Sequence, residues 1–186
     1  MASLAVARMP ANSQLWPMSS SRRPVAGIMG ASEASAAAVA DAERLGELLA
    51  ERGWAVLTGG LAFGVMEAAS RGAKRVHGSL TIGILPTADS RASGHVDIVI
   101  RTDLGQGRNN VNVLSSDVVF ACGVESSGTA SEVALAIRNR RPLILVRPSG
   151  AAAAFFGEVA GAEVQVVQSP EAAVAAAQLL SPVGHR

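Results

Sequence analysis

From Val25 onward, short continuous apolar runs alternate with longer stretches in which apolar positions recur at helical spacing. VAGIM (25–29), WAVLT (54–58), LTIGIL (80–85), DIVI (97–100), VVFAC (118–122), LILV (143–146) and VQVV (164–167) read as strands. Helical patterns cover Ala34–Arg52, Val65–His77, Arg108–Ser115, Thr129–Asn139 and Ala151–Ala160. A final helix has Ser169 as cap, Pro170 at its first position and Pro182 beyond its end. Strands without polar alternation are covered on both faces, and alternation of β with α feeds parallel pairing. The pattern predicts an α/β fold: a Rossmann-like, doubly wound, mainly parallel sheet with helices on both faces.

A chain of 186 residues suits one well-buried domain, expected over residues 24–186. Residues 1–23 contain Arg8, Arg22 and Arg23 but no acid, the first carboxylate being Glu33. They read either as a disordered extension on a cytoplasmic protein, the expectation carried forward, or as an organelle transit segment. A net charge of +1 and an aromatic content of 3% supply neither the basic field nor the stacking platforms of nucleic-acid binding. No apolar run approaches the roughly 20 residues of a membrane-spanning helix. The single cysteine, Cys122, excludes an intramolecular disulfide. Its place in DVVFACG suits a small core residue better than a metal ligand. His77, His95 and His185 are scattered, and no metal site is expected.

In such sheets the ligand sits beyond the carboxyl ends of the strands. Four loops there are rich in small residues: GIMGAS (27–32), TGGLAFGVMEAA (58–69), RTDLGQGRNNVN (101–112) and GVESSGTASE (123–132). Glycines let backbone N–H groups approach a ligand closely, and helix N-termini favour anions. No Gly-Lys-Ser/Thr follows and the strict G-x-G-x-x-G pattern is absent, so ATPase and dehydrogenase readings fall. A helix starting near Arg108 puts Asn109 and Asn112 on one polar face with the guanidinium, while Val111 and Leu114 can face the sheet. Such a face can bind phosphate; a solvated helix start is the plainer reading. Thr129-Ala130-Ser131-Glu132 fits a capping box, but Glu132 is equally placed to be a carboxylate at the ligand edge. Arg138, Arg140 and Arg141 suit the opposite, C-terminal end of that helix and are left out of the site.

GWAVLTGGLAFGVMEAASRGA, GRNNVNVLSSDVVFACG and SGTASEVALAI, in order between Val25 and Val146, resemble the LONELY GUY, lysine-decarboxylase-like superfamily of phosphoribohydrolases, and within it the molybdenum cofactor carrier branch. In the hydrolases a Pro-Gly-Gly-x-Gly-Thr-x-x-Glu turn carries a catalytic Glu, assisted by an Arg nine residues before an Asp. Arg108 stands nine before Asp117, and Gly128-Thr129-x-x-Glu132 ends the turn, but GVESS replaces Pro-Gly-Gly. The resemblance implies a protein that binds molybdenum cofactor, an anionic phosphorylated molybdopterin, and passes it to a molybdoenzyme such as nitrate reductase. It also implies a homotetramer, for which the small-residue faces at Ala34–Ala42 and Ala130–Ile137 offer packing surface. The expected contacts are Gly30, backbone amides of Gly59, Gly60, Gly64 and Val65, the side chains of Arg108, Asn109 and Asn112, and the turn Ser126, Ser127, Gly128 and Thr129. The alternative is a nucleoside 5′-monophosphate phosphoribohydrolase with Arg108 and Glu132 as catalytic pair.

Overall fold

The computed structural model describes residues 22–160 and 164–180. The expected N-terminal extension, apart from Arg22 and Arg23, and Pro182 lie outside the described residues. The elements are β1 (Val25–Met29), α1 (Ala36–Glu51), β2 (Ala55–Thr58), α2 (Gly64–Ala73), β3 (Leu80–Leu85), β4 (Ile98–Arg101), α3 (Arg108–Leu114), β5 (Val118–Cys122), α4 (Ser127–Arg138), β6 (Leu143–Val146), α5 (Gly150–Ala160), β7 (Val164–Val167) and α6 (Pro170–Leu180). A short 3-10 turn, Gly105–Gly107, leads into α3.

All seven strands pair in parallel, in the order β4-β3-β2-β1-β5-β6-β7. The fold is the doubly wound one that the apolar pattern predicts. The chain builds outward from β1 to β4, then crosses back so that β5 lies on β1's other side. The strand order therefore reverses between β1 and β5, which opens a crevice beyond their carboxyl ends.

Alternate residues of the central strands feed two cores. Ile28, Val56, Val118, Phe120 and Ile144 pack with α1, α2 and α6, whereas Met29, Leu57, Val119, Ala121 and Leu145 pack with α3, α4 and α5. Helices α1 and α2 approach so closely that a Cβ on Gly46 would stand 2.1 Å from the carbonyl oxygen of Ala69, and one on Gly72 would stand 1.8 Å from that of Glu43.

Several boundaries differ from expectation by one or more residues, and two of them have a local hydrogen-bonded cause. Strand β4 starts one residue late, at Ile98, because the Asp97 carboxylate is engaged with the start of β3, accepting from the backbone N–H and hydroxyl of Thr81, and with Lys74 Nζ. Helix α2 ends at Ala73 rather than His77. There the backbone tightens into i→i+3 bonds, Arg75 N–H to Gly72 O and Val76 N–H to Ala73 O, and Gly78 turns the chain into β3 at φ +74°.

Before β1, the Arg22 guanidinium donates to both oxygens of Asp117, at 2.7 and 2.5 Å, and Asp117 also accepts from the Val25 N–H at 2.8 Å. The Arg22 hydrogen bond is the main influence holding the Asp117 carboxyl below its usual pKa. Asp117 thus ties the entry to β1 to the entry to β5, the two strands that flank the crevice.

Candidate functional site

A cavity of about 1020 Å³ lies beyond the carboxyl ends of the strands at this crevice, with walls from the β1–α1 loop, the β2–α2 loop, the start of α3 and one face of α4. At its deep end is Arg108, the first residue of α3, only 7% exposed. Its Nε is buried without a hydrogen-bond partner. Its Nη1 lies 3.9 Å from Glu132 Oε1, an ion-pair contact beyond hydrogen-bond reach. Burial lowers the guanidinium's pKa and Glu132 partly offsets this, but an arginine remains charged in any protein interior. The site therefore presents a desolvated cation whose hydrogen-bonding capacity is unspent.

Gly59 makes room for it. A Cβ there would lie 2.3 Å from Arg108 Nη1 and 2.7 Å from Nη2, so only glycine leaves the guanidinium its place. Gly30 is constrained from the other side, since a Cβ would collide with the Val65 side chain at 2.5 Å.

Opposite stands the start of α4. The helix begins at Ser127, two residues before the expected Thr129, because Ser126 is the cap: its Oγ accepts from the Thr129 N–H at 3.1 Å. The Ser127 and Gly128 N–H groups fall in the first turn, where no intrahelical acceptor exists, and both residues line the cavity. With Ser126 as cap, Glu132 sits in the second turn and the capping-box reading falls. Its carboxylate instead accepts from Asn112 Nδ2 at 3.0 Å. Burial is the largest influence on this carboxyl and pushes its pKa up to about 7, with the Asn112 hydrogen bond and the Arg108 charge pulling the other way.

Of the expected contacts, Gly30, Gly59, Arg108, Asn109, Ser126, Ser127, Gly128 and Thr129 line the cavity, as does Glu132. Gly60, Gly64, Val65 and Asn112 are not among its lining residues. The Gly60 N–H donates to Thr58 Oγ1 at 3.0 Å, and the Val65 N–H donates to Ala31 O at 3.1 Å. Those two amides are spent within the fold. Gly64 serves the turn itself, at φ +52° against the Ala31 and Ser32 carbonyls. Asn112, fully buried, orients Glu132 from behind. In α3 it is Val113, not Leu114, that enters the core, Leu114 being 42% exposed. The helix is rotated so that Asn109, Asn112 and Val113 point inward together.

Ser131 and Arg138 are among the lining residues that lay outside the sequence expectation. Ser131 accepts from Asn109 Nδ2 at 3.0 Å and bridges α3 to α4. Arg138, assigned above to the far end of α4, also lines the cavity. The signal was present in the sequence: Ser127, Ser131 and Arg138 recur at i, i+4 and i+11, on one face of a helix. Cys122 is buried in the first core, and burial raises its thiol pKa, as suits a core residue. Among the described residues no cluster of three His, Cys, Asp or Glu side chains could hold a metal.

A sequence profile of the SLOG cluster4 family matches residues 23–174. The chain belongs to this family. Among solved structures, this SLOG cluster4 protein is similar to the molybdenum cofactor binding protein of Rippkaea orientalis, at 44% identity and a TM-score of 0.82, over 86% of this chain and 98% of that one. It is also similar to the Moco carrier protein of Chlamydomonas reinhardtii, at 41% identity and a TM-score of 0.80 with the same coverages. An uncharacterised protein of Archaeoglobus fulgidus is 39% identical over 122 residues, 66% of this chain and 79% of that one.

Within the SLOG cluster4 fold, Glu125 joins two walls of the cavity. Its carboxylate accepts from the Ser35 N–H at 2.8 Å and pairs with Ser35 Oγ at 2.7 Å, while Ser35 caps α1 through the Ala38 N–H. The β5–α4 turn is thereby latched to the β1–α1 loop. Glu125→Ala should weaken anion affinity about three- to tenfold, the range expected for losing one or two ordinary hydrogen bonds, with Glu125→Gln between it and wild type. Calorimetric titration of the three proteins checks this.

Proposed function

We propose that this protein binds molybdenum cofactor, holds it and hands it to a molybdoenzyme. The observation that carries the reading is the buried Arg108 guanidinium, with an unpartnered Nε, facing the first turn of α4 across a cavity of about 1020 Å³. A desolvated cation beside helix N–H groups is a site for a phosphorylated anion. Cavities of about 300–1,000 Å³ suit ligands the size of a phosphorylated pterin. The likeness to the Rippkaea and Chlamydomonas proteins, over nearly their whole length, supports the same ligand. Arg108 and the Ser127 and Gly128 amides would hold the anionic groups; Asn109 and Ser131 offer polar contacts to the heterocycle. Holding and releasing the cofactor requires no bond to be made or broken by the protein.

The reading extends to a cytoplasmic homotetramer that delivers to an enzyme such as nitrate reductase. Ala36, Ala37 and Ala40 remain exposed on α1, as does Ala134 on α4, whereas Ala38 and Ala42 are used within the chain.

The test is anaerobic titration with isolated molybdenum cofactor, followed by transfer to cofactor-free nitrate reductase. Saturable binding with recovery of reductase activity is expected; absence of saturable binding overturns the proposal. The buried Arg108–Glu132 pair favours one second reading, hydrolysis of nucleoside 5′-monophosphates, with Arg108 orienting the ribosyl group and Glu132 stabilising its transition state. Set against it, Ser126 and Ser127 place side chains where the hydrolases use bare backbone. Incubation with AMP should release little or no adenine. Robust release, abolished in Glu132→Gln, would put the hydrolase first.

A further inference from the structure

We propose that anion binding in this cavity is coupled to the uptake of one proton by Glu132. The inference rests on the anion-binding reading of Arg108 and deepens it.

Its basis is the charge arrangement at the deep end. Glu132, 5% exposed, and Arg108, 7% exposed, line the same cavity with 3.9 Å between their nearest charged atoms. Before a ligand arrives, the guanidinium and the carboxylate are each other's partial counter-ions. An anion that takes Arg108 places negative charge close to a buried carboxylate, and two like charges in a desolvated site cannot both persist. Among the described residues Arg108 is the one cation that acts on this carboxylate. Among the lining residues the only other charge is Arg138, exposed and six residues further along α4; the walls from the β1–α1 and β2–α2 loops are uncharged. From α3, Arg108 is the charged group acting on it, and Asn112 contributes a neutral amide. That amide donates to Oε1, while its own Oδ1 is buried without any donor.

The sign follows from linkage. The carboxyl of the free protein already titrates near pH 7, raised by burial, and a bound anion raises it further. Below about pH 7 Glu132 is protonated before binding, so affinity is flat; above it each binding event takes up a proton, and affinity falls by up to about tenfold per pH unit. Loading is favoured in mildly acidic surroundings and release in alkaline ones.

The experiment is calorimetric titration of the full chain at about pH 8 with two probes, isolated molybdenum cofactor and inorganic sulfate, in buffers of high and low ionisation enthalpy. Sulfate keeps both charges throughout this range, so any proton taken up goes to the protein. Close to one proton per sulfate is expected for wild type and none for Glu132→Gln, whose sulfate affinity should also lose its decline between about pH 7 and pH 9. An infrared difference spectrum of the wild type needs no variant and should show a protonated carboxyl band on adding sulfate. Sulfate binding with neither proton uptake nor that band overturns the coupling. Sulfate binding with proton uptake, but no cofactor binding, leaves the coupling standing and removes the carrier reading. If neither probe binds, both fall.

Discussion

Arg108→Ala should lower the affinity for molybdenum cofactor about 10- to 150-fold, the loss expected when charge-assisted hydrogen bonds of roughly 1.5–3 kcal/mol are removed. Arg140→Ala should leave it unchanged, because Arg140 lies beyond the C-terminal end of α4 and outside the cavity. The thermal midpoint separates a ligand role from a structural one. Arg108 Nε is unpartnered and the nearest carboxylate oxygen is 3.9 Å away, so the guanidinium contributes little to the fold. Its loss should cost affinity without a matching loss of stability. Gly59→Ala approaches the same group from outside, since the added Cβ would stand 2.3 Å from Nη1 and must displace it. Both variants should weaken binding; wild-type affinity in Arg108→Ala would remove this placement of the site.

The sheet was legible because its central strands are buried on both faces. VVFAC can feed two cores at once, and it does: Val118 and Phe120 pack with α1, α2 and α6, Val119 and Ala121 with α3, α4 and α5. Gly30, Gly59, Arg108 and the Ser126–Thr129 turn were legible for a related reason: parallel topology sends those loops to one sheet edge. What the sequence hid was local competition for hydrogen bonds. Thr129 and Ser126 are both good caps, and only the backbone path decides that Ser126 prevails, which moves Glu132 from a cap to the cavity wall. The amides of Gly60 and Val65 looked available by position, yet Thr58 Oγ1 and Ala31 O claim them. The clamp through Glu125 joins residues 90 apart, a separation that no local pattern announces.

Gly72→Ala should be among the most destabilising single methyls added to this fold. The Cβ would lie 1.8 Å from the backbone oxygen of Glu43 on α1, and a backbone atom held in a helix cannot step aside as a flexible side chain can. Either α1 and α2 separate or both helices bend, and overpacking of this kind costs roughly 1–3 kcal/mol. In a chain of this size each kcal/mol lowers the thermal midpoint by about 2–4 °C. The same substitution at Gly157 should act in the opposite direction. That residue lies inside α5 with nothing within 4 Å of the added atom, so alanine's helix preference should raise stability by about 0.5–1 kcal/mol. Function follows the first change as well, because the loops that lead into α1 and α2 carry Gly30 and Gly59, and both line the cavity. Separating the helices should therefore loosen the wall that keeps the Arg108 guanidinium in place, and anion affinity should fall together with the midpoint. Thermal denaturation of both variants by circular dichroism measures the contrast, and a Gly72→Ala midpoint equal to wild type would mean that α1 and α2 are not in backbone contact.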